Sequence, residues 1–131
     1  MKRTIIVEGR PVSVQNRSPR KHQWKSRVAH KAGSVCQSPL RHTNLRVVVT
    51  FYYNTLPDFD TDNILKPICD GLSGIAYEDD RQVGEATARV RDIGGSYVIK
   101  GANRELVLAV ATGQDFVCIE IEALPGGAQR L

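Results

Sequence analysis

Cysteine is scarce in this sequence. There are three among 131 residues, Cys36, Cys69 and Cys118. The number is odd and no C-x-x-C pair occurs, which argues against a disulfide framework. The three read as reduced thiols, and Cys69 and Cys118 lie in apolar patterns as small buried hydrophobes. The three histidines, His22, His30 and His42, cluster neither with one another nor with cysteine, so no zinc site is expected. No apolar run approaches the ~20 residues of a transmembrane helix. Lys2 and Arg3 are followed by no long apolar segment of the secretory kind. A cytoplasmic chain with no membrane partner is therefore expected. A Gly-rich phosphate loop, a serine-nucleophile motif, internal repeats and low-complexity tracts are also missing.

Acid is scarce where base is plentiful. Residues 1–46 hold 11 Lys and Arg against a single acid, Glu8, a net charge of +10. Residues 47–131 carry 7 Lys and Arg against 13 acids, a net of −6. Lysine and arginine neutralise phosphates, whereas clustered carboxylates hold hard cations, so the division suits a protein that works on nucleic acid. A solvated basic surface is the plainer alternative.

With 41% hydrophobic residues the chain can build a real core, and its length predicts one domain, residues 1–131, ending in a disordered Pro/Gly tail at 125–131. Strands are expected at 3–8, at 45–53 (Leu-Arg-Val-Val-Val-Thr-Phe-Tyr-Tyr), at about 86–92 and at 115–123. A short extended piece is read at 96–101. Helices are expected at 23–32, stopped by Gly33, and at 103–112, capped by Asn103, stopped by Gly113 and buried along Leu106, Val107 and Val110. Trp24 reads as a core anchor rather than a base-stacking platform. The expected fold is α+β: a small, mostly antiparallel sheet of about four strands with helices packed on one face.

The densest chemistry lies in residues 57–83, PDFDTDNILKPICDGLSGIAYEDDRQV. Seven of the 14 acids are here: Asp58, Asp60, Asp62, Asp70, Glu78, Asp79 and Asp80. Like charges at this density are hard to explain as packing. If 58–62 is extended, Asp58, Asp60 and Asp62 share a face. Asp62-Asn63 then caps a helix whose apolar stripe is Ile64, Ile68 and Leu72. Pro67 predicts an irregular first turn, and Gly71, Ser73 and Gly74 end the helix. Two acidic segments flanking one short helix could converge on a hard cation such as Mg²⁺.

This stretch closely resembles the RusA family of Holliday junction resolvases (crossover junction endodeoxyribonucleases). The family pattern is Asp-x-Asp-Asn-x-x-Lys, a short helix with an Asp near its end, a Gly-rich turn and a double Asp. It stands here as Asp60-Thr61-Asp62-Asn63-Ile64-Leu65-Lys66, Asp70-Gly71-Leu72, Gly74-Ile75-Ala76-Tyr77 and Asp79-Asp80. The resemblance implies a homodimeric, Mg²⁺-dependent endonuclease, with Mn²⁺ as a substitute, that cuts four-way DNA junctions in recombination and repair. Its catalytic groups fall on Asp60, Asp62, Lys66 and Asp80. Asp60, Asp62 and Asp80 are the implied metal ligands, with Asp79 a fourth ligand or a neighbour of the ligands. Lys66 is read as acting on the phosphate or the water, or else as an ion pair that relieves Asp–Asp repulsion. Asp70 is read as supportive, and Asp58 stands outside the pattern. The family has a similar Pro-x-Ser-x-Gln segment, here Pro11-Val12-Ser13-Val14-Gln15. This makes the basic loop and the helix after it the candidate DNA contact, with Gln15, Arg17, Arg20, Lys21 and Lys25. Two other readings stand beside this one: a non-catalytic branched-DNA-binding protein, and a nuclease for another nucleic-acid structure.

Overall fold

β-Branched and aromatic side chains run almost unbroken from Leu45 to Tyr53, and this segment forms the strand on which the sheet is built. The computed structural model describes residues 2–95 and 103–125. Within them lie β1 (Lys2–Glu8), α1 (Arg20–Val35), β2 (Leu45–Tyr53), α2 (Leu65–Leu72), β3 (Val83–Asp92), α3 (Arg104–Thr112) and β4 (Phe116–Ala123). Two short 3₁₀ turns, Thr61–Ile64 and Asp80–Gln82, flank α2. The segment read as an extended piece at 96–101, and all but Pro125 of the tail read at 125–131, lie outside the described residues.

The sheet order is β1-β4-β2-β3. β1/β4 and β4/β2 are antiparallel, and β2/β3 is parallel. Ile5, Ile119, Val49 and Ala88 form one row across it. The fold is thus α+β with a mostly antiparallel sheet of four strands. The parallel pair needs a crossover, and the segment containing α2 supplies it.

Alternation along the strands gives each face its own cover. Ile5, Val7, Val47, Val49, Phe51, Val117, Ile119 and Ile121 point to one side, where Trp24, Val28 and Ala32 of α1 and Ile64, Ile68 and Leu72 close the core. Trp24 is a core anchor, 3% exposed. On the other side Ile6, Tyr52, Phe116 and Cys118 form a smaller cluster under Leu106, Ala109 and Val110 of α3. The Tyr52 and Phe116 rings stack there at 4.6 Å. The main helical layer therefore lies on one face, while α3 takes the opposite one, because β1, β2 and β4 each turn apolar side chains both ways. Val107, expected in the buried stripe of α3, is 45% exposed; Ala109 takes that role.

Three boundaries differ from expectation. α1 begins at Arg20, three residues early, with Pro19 as the N-cap at φ −56°, an angle proline already holds. It also runs through Gly33 to Val35. Gly71 does not end α2 but lies buried inside it. A Cβ there would come within 2.9 Å of the Lys25 carbonyl oxygen and 3.1 Å of Val28, so glycine lets α1 and α2 approach closely. The irregular start that Pro67 implied is present as the 3₁₀ turn leading into α2.

Candidate active site

The crossover carries both acid-bearing turns. The first follows β2 and packs against β3; the second leads directly into β3. Asp62 and Asp80, 18 positions apart, are brought together by this arrangement. They line one hollow of about 350 Å³ with Leu65, Lys66, Cys69 and Val83.

The expected common face for Asp58, Asp60 and Asp62 does not form. Asp60 is extended (φ −69°, ψ 142°), but Thr61 starts a 3₁₀ turn, so strand alternation stops there. Asp62-Asn63 does not cap α2, whose N-cap is Ile64; Asp60 is the N-cap of the 3₁₀ turn before it, and its side chain makes no cap hydrogen bond. Asp58 and Asp60 line a larger neighbouring hollow of about 670 Å³ with Arg10, Gln15, Arg20 and Asn63. Among the described residues no group of three or more Asp, Glu, His or Cys is assembled to hold a metal. Of the acids singled out from the sequence, the fold thus puts Asp62 and Asp80 in one hollow and Asp58 and Asp60 in the next.

Asp79 is engaged elsewhere. Its carboxylate accepts hydrogen bonds from the Arg81 backbone N–H (2.9 Å) and pairs with the Arg81 guanidinium (3.0 Å). The Arg81 side chain first, and its backbone N–H second, hold the Asp79 carboxyl below the usual carboxylate range. Asp79 and Gln82 together close a capping box.

Lys66 lies one turn above Asp70 and donates to it at 2.6 Å. This bond, followed by the charge of Asp70 and more distantly that of Asp80, raises the Lys66 pKa. Asp70 also meets Lys25 of α1 at 3.2 Å. Partial burial pushes the Asp70 carboxyl up, but the Lys66 and Lys25 ammonium groups outweigh it and the net shift is downward. Asp70 is therefore the tether for Lys66 and for the α1–α2 contact. Burial pushes up the Cys69 thiol, which lines the same hollow.

The residues read as DNA contacts divide likewise. Gln15 and Arg20 line the larger hollow, and Arg17 is exposed. Lys21 Nζ donates to the Val14 carbonyl at 3.1 Å, and Lys25 is held by Asp70, so both also brace the fold. Arg10 went unnoticed in the sequence. It sits 5.3 Å over the Phe51 ring, donates to the Thr55 carbonyl (2.9 Å) and pairs with Asp115 (3.3 Å) at the edge of the larger hollow. Gln82 was also passed over, although Asp79-x-x-Gln82 has the spacing of a capping box.

Two carboxylates and a lysine round an open hollow, beside a basic helix on a small α+β sheet, define a candidate phosphodiester-cutting site. The model of the endodeoxyribonuclease RusA family matches residues 9–100, from the basic loop through β3. This chain belongs to the RusA endodeoxyribonuclease family. A comparison with curated proteins found no match. Among the described residues no helix is long and apolar enough to cross a membrane.

Proposed function

We propose that this chain is a metal-dependent, structure-selective endodeoxyribonuclease that cuts four-way (Holliday) junctions by phosphodiester hydrolysis, in DNA recombination and repair. The observation supporting this most directly is that Asp62, Lys66 and Asp80 line one hollow although the chain separates them. Carboxylates gather at one spot at a cost in repulsion, which a bound cation removes.

The donor set fits Mg²⁺, with Mn²⁺ as substitute. Two hard carboxylates in an open hollow leave room for the waters and phosphate oxygens that Mg²⁺ retains. Cys69 is the one soft donor there, and burial raises its thiol pKa. Asp62 and Asp80 would hold the ion, with Asp60 brought to the site from the neighbouring hollow. When bound, the metal would supply an activated water and neutralise charge on the phosphate and leaving oxygen. Lys66 presents a permanent positive charge to the developing phosphorane, and Asp70 keeps its ammonium in place. Gln15, Arg17 and Arg20 carry the strand backbone toward the site, with Lys21 and Lys25 bracing the surface on which it lies.

We propose one domain acting as a homodimer. A four-way junction is two-fold symmetric, so paired subunits would address opposed strands. The test is a synthetic four-way junction with Mg²⁺ or Mn²⁺, beside a linear duplex. Paired symmetric nicks confined to the junction, and lost in Asp80→Asn, are expected. Junction binding with no cutting in either metal would favour the non-catalytic reading, and preferential cutting of flaps or RNA would replace the substrate.

A further inference from the structure

We infer that Gln82 is a positioning residue: its carboxamide clamps the Glu78–Asp80 turn and so aims the Asp80 carboxylate into the hollow shared with Asp62 and Lys66. The inference rests on the proposed metal site. A carboxamide offers two donor hydrogens and an oxygen with two lone pairs. Gln82 uses all four. Its Oε1 accepts from the backbone N–H groups of Glu78 and Asp79, both at 2.9 Å. Its Nε2 donates to the carbonyls of Leu40 and Thr43, both at 3.1 Å. The two peptide N–H groups just before Asp80 are thereby fixed to a segment some 40 positions earlier in the chain.

That anchor is itself held. The Leu40 N–H donates to the Ala76 carbonyl (3.0 Å), the Glu78 N–H is shared with the Leu40 carbonyl (3.1 Å), and Arg41 pairs with Glu78 (2.8 Å). The Asp79 carboxylate is taken by Arg81. Asp80 takes no part in the clamp. The hydroxyl of the fully buried Tyr77 lies 3.5 Å from the Asp80 Oδ1 and donates to the Cys69 carbonyl at 3.1 Å. The bonds of Gln82 thus hold the backbone of the turn, Glu78 and Asp79 are paired with arginines, and the acid facing the hollow has only the long contact from Tyr77. The bonds to Leu40 and Thr43 go beyond what the capping box needs, and they fix the backbone that carries the surface carboxylate of Asp80. An aspartate has only two side-chain torsions, so a fixed backbone restricts its oxygens to a small volume.

The decisive variants are Gln82→Leu, which deletes all four bonds at similar size, and Gln82→Glu, which keeps acceptors for the two N–H groups and loses the donors. Mn²⁺ uptake by the full DNA-free chain, read from the paramagnetic resonance of free Mn²⁺, is measured beside junction cutting against Mg²⁺ concentration. Gln82→Leu is expected to weaken Mn²⁺ binding and raise the Mg²⁺ midpoint roughly 10- to 100-fold, as loss of groups that orient ligands does. Gln82→Glu falls between, and metal-free junction binding keeps its wild-type strength. Added to Asp80→Asn, Gln82→Leu should weaken Mn²⁺ binding no further, since both act through one carboxylate. A folded Gln82→Leu with wild-type Mn²⁺ affinity and Mg²⁺ midpoint would overturn the inference, as would full additivity with Asp80→Asn. If Gln82→Leu does not fold, Gln82→Glu decides by the same two readouts. Failure of the metal reading looks different: the wild-type chain would neither take up Mn²⁺ nor cut, which overturns both.

Discussion

The two acid-bearing turns are built to one plan and finished differently. Each is a short 3₁₀ turn entered through an aspartate with extended backbone, Asp60 in one and Asp79 in the other. At the second, the capping aspartate is fully used, and Gln82 locks the peptides around it. At the first, Asp60 makes no cap hydrogen bond, and the turn is tied to the basic loop through a backbone bond from Val14 N–H to the Asn63 carbonyl (2.9 Å). One turn spends a carboxylate on rigidity and leaves its neighbour, Asp80, for the hollow. The other leaves both carboxylates, Asp60 and Asp62, free of caps, next to the loop proposed to meet DNA.

The largest effect tests whether both turns serve one site. Asp62→Asn and Asp80→Asn should each lower junction cutting about 10³-fold, the loss of several kcal/mol of charge stabilisation at the transition state. Gel-shift binding in chelator should stay near wild type. If only one of the two matters, the turns do not share a metal. Next comes the group between them. Lys66→Met should slow single-turnover cutting about 10²-fold with the metal midpoint unchanged, as expected of a charge that acts on the phosphate and not on the ion.

A smaller effect separates the capping aspartates. Asp79→Ala should lower the urea midpoint of unfolding and speed amide exchange at Arg81, because it deletes a cap. Asp60→Ala should leave both unchanged and lower cutting instead. Reversed outcomes would exchange the structural and chemical roles of the turns. The smallest effect concerns the tether. The Asp70 carboxyl is held below its usual range, so its ion pairs stabilise the fold at neutral pH and lose that contribution as pH falls through the lowered value. Asp70→Asn should remove this acid-side loss and flatten stability against pH below about pH 4. Because the pair is partly solvated, the neutral-pH cost should stay under ~1 kcal/mol.

Much of this architecture could be read directly. β2 has the bounds its β-branched run implied, and α3 has the expected Asn103 cap and Gly113 stop, with Gly113 at φ 71°. Local rules of propensity, capping and proline geometry act within a few residues, so they survive folding. The parallel β2/β3 pair was not legible, because register and direction depend on partners far away. The length of α1 escaped because Gly33 lies on an exposed face where a helix tolerates it at modest cost. Strand alternation misled for Asp62, since the chain had already turned 3₁₀ after Asp60.

The order and kind of the reactive groups, the basic front half and the membership in a nuclease family were all determined by the amino-acid sequence, since each depends on residue identity and spacing alone. Which acids share a hollow was decided only by the tertiary structure. A parallel crossover and the packing of the first turn on β3 bring Asp80 to Asp62 and leave Asp60 next door, while Arg81 ties up the Asp79 carboxylate. Carboxylates are chemically alike in a linear chain, and they acquire different surroundings only when distant segments fold against them.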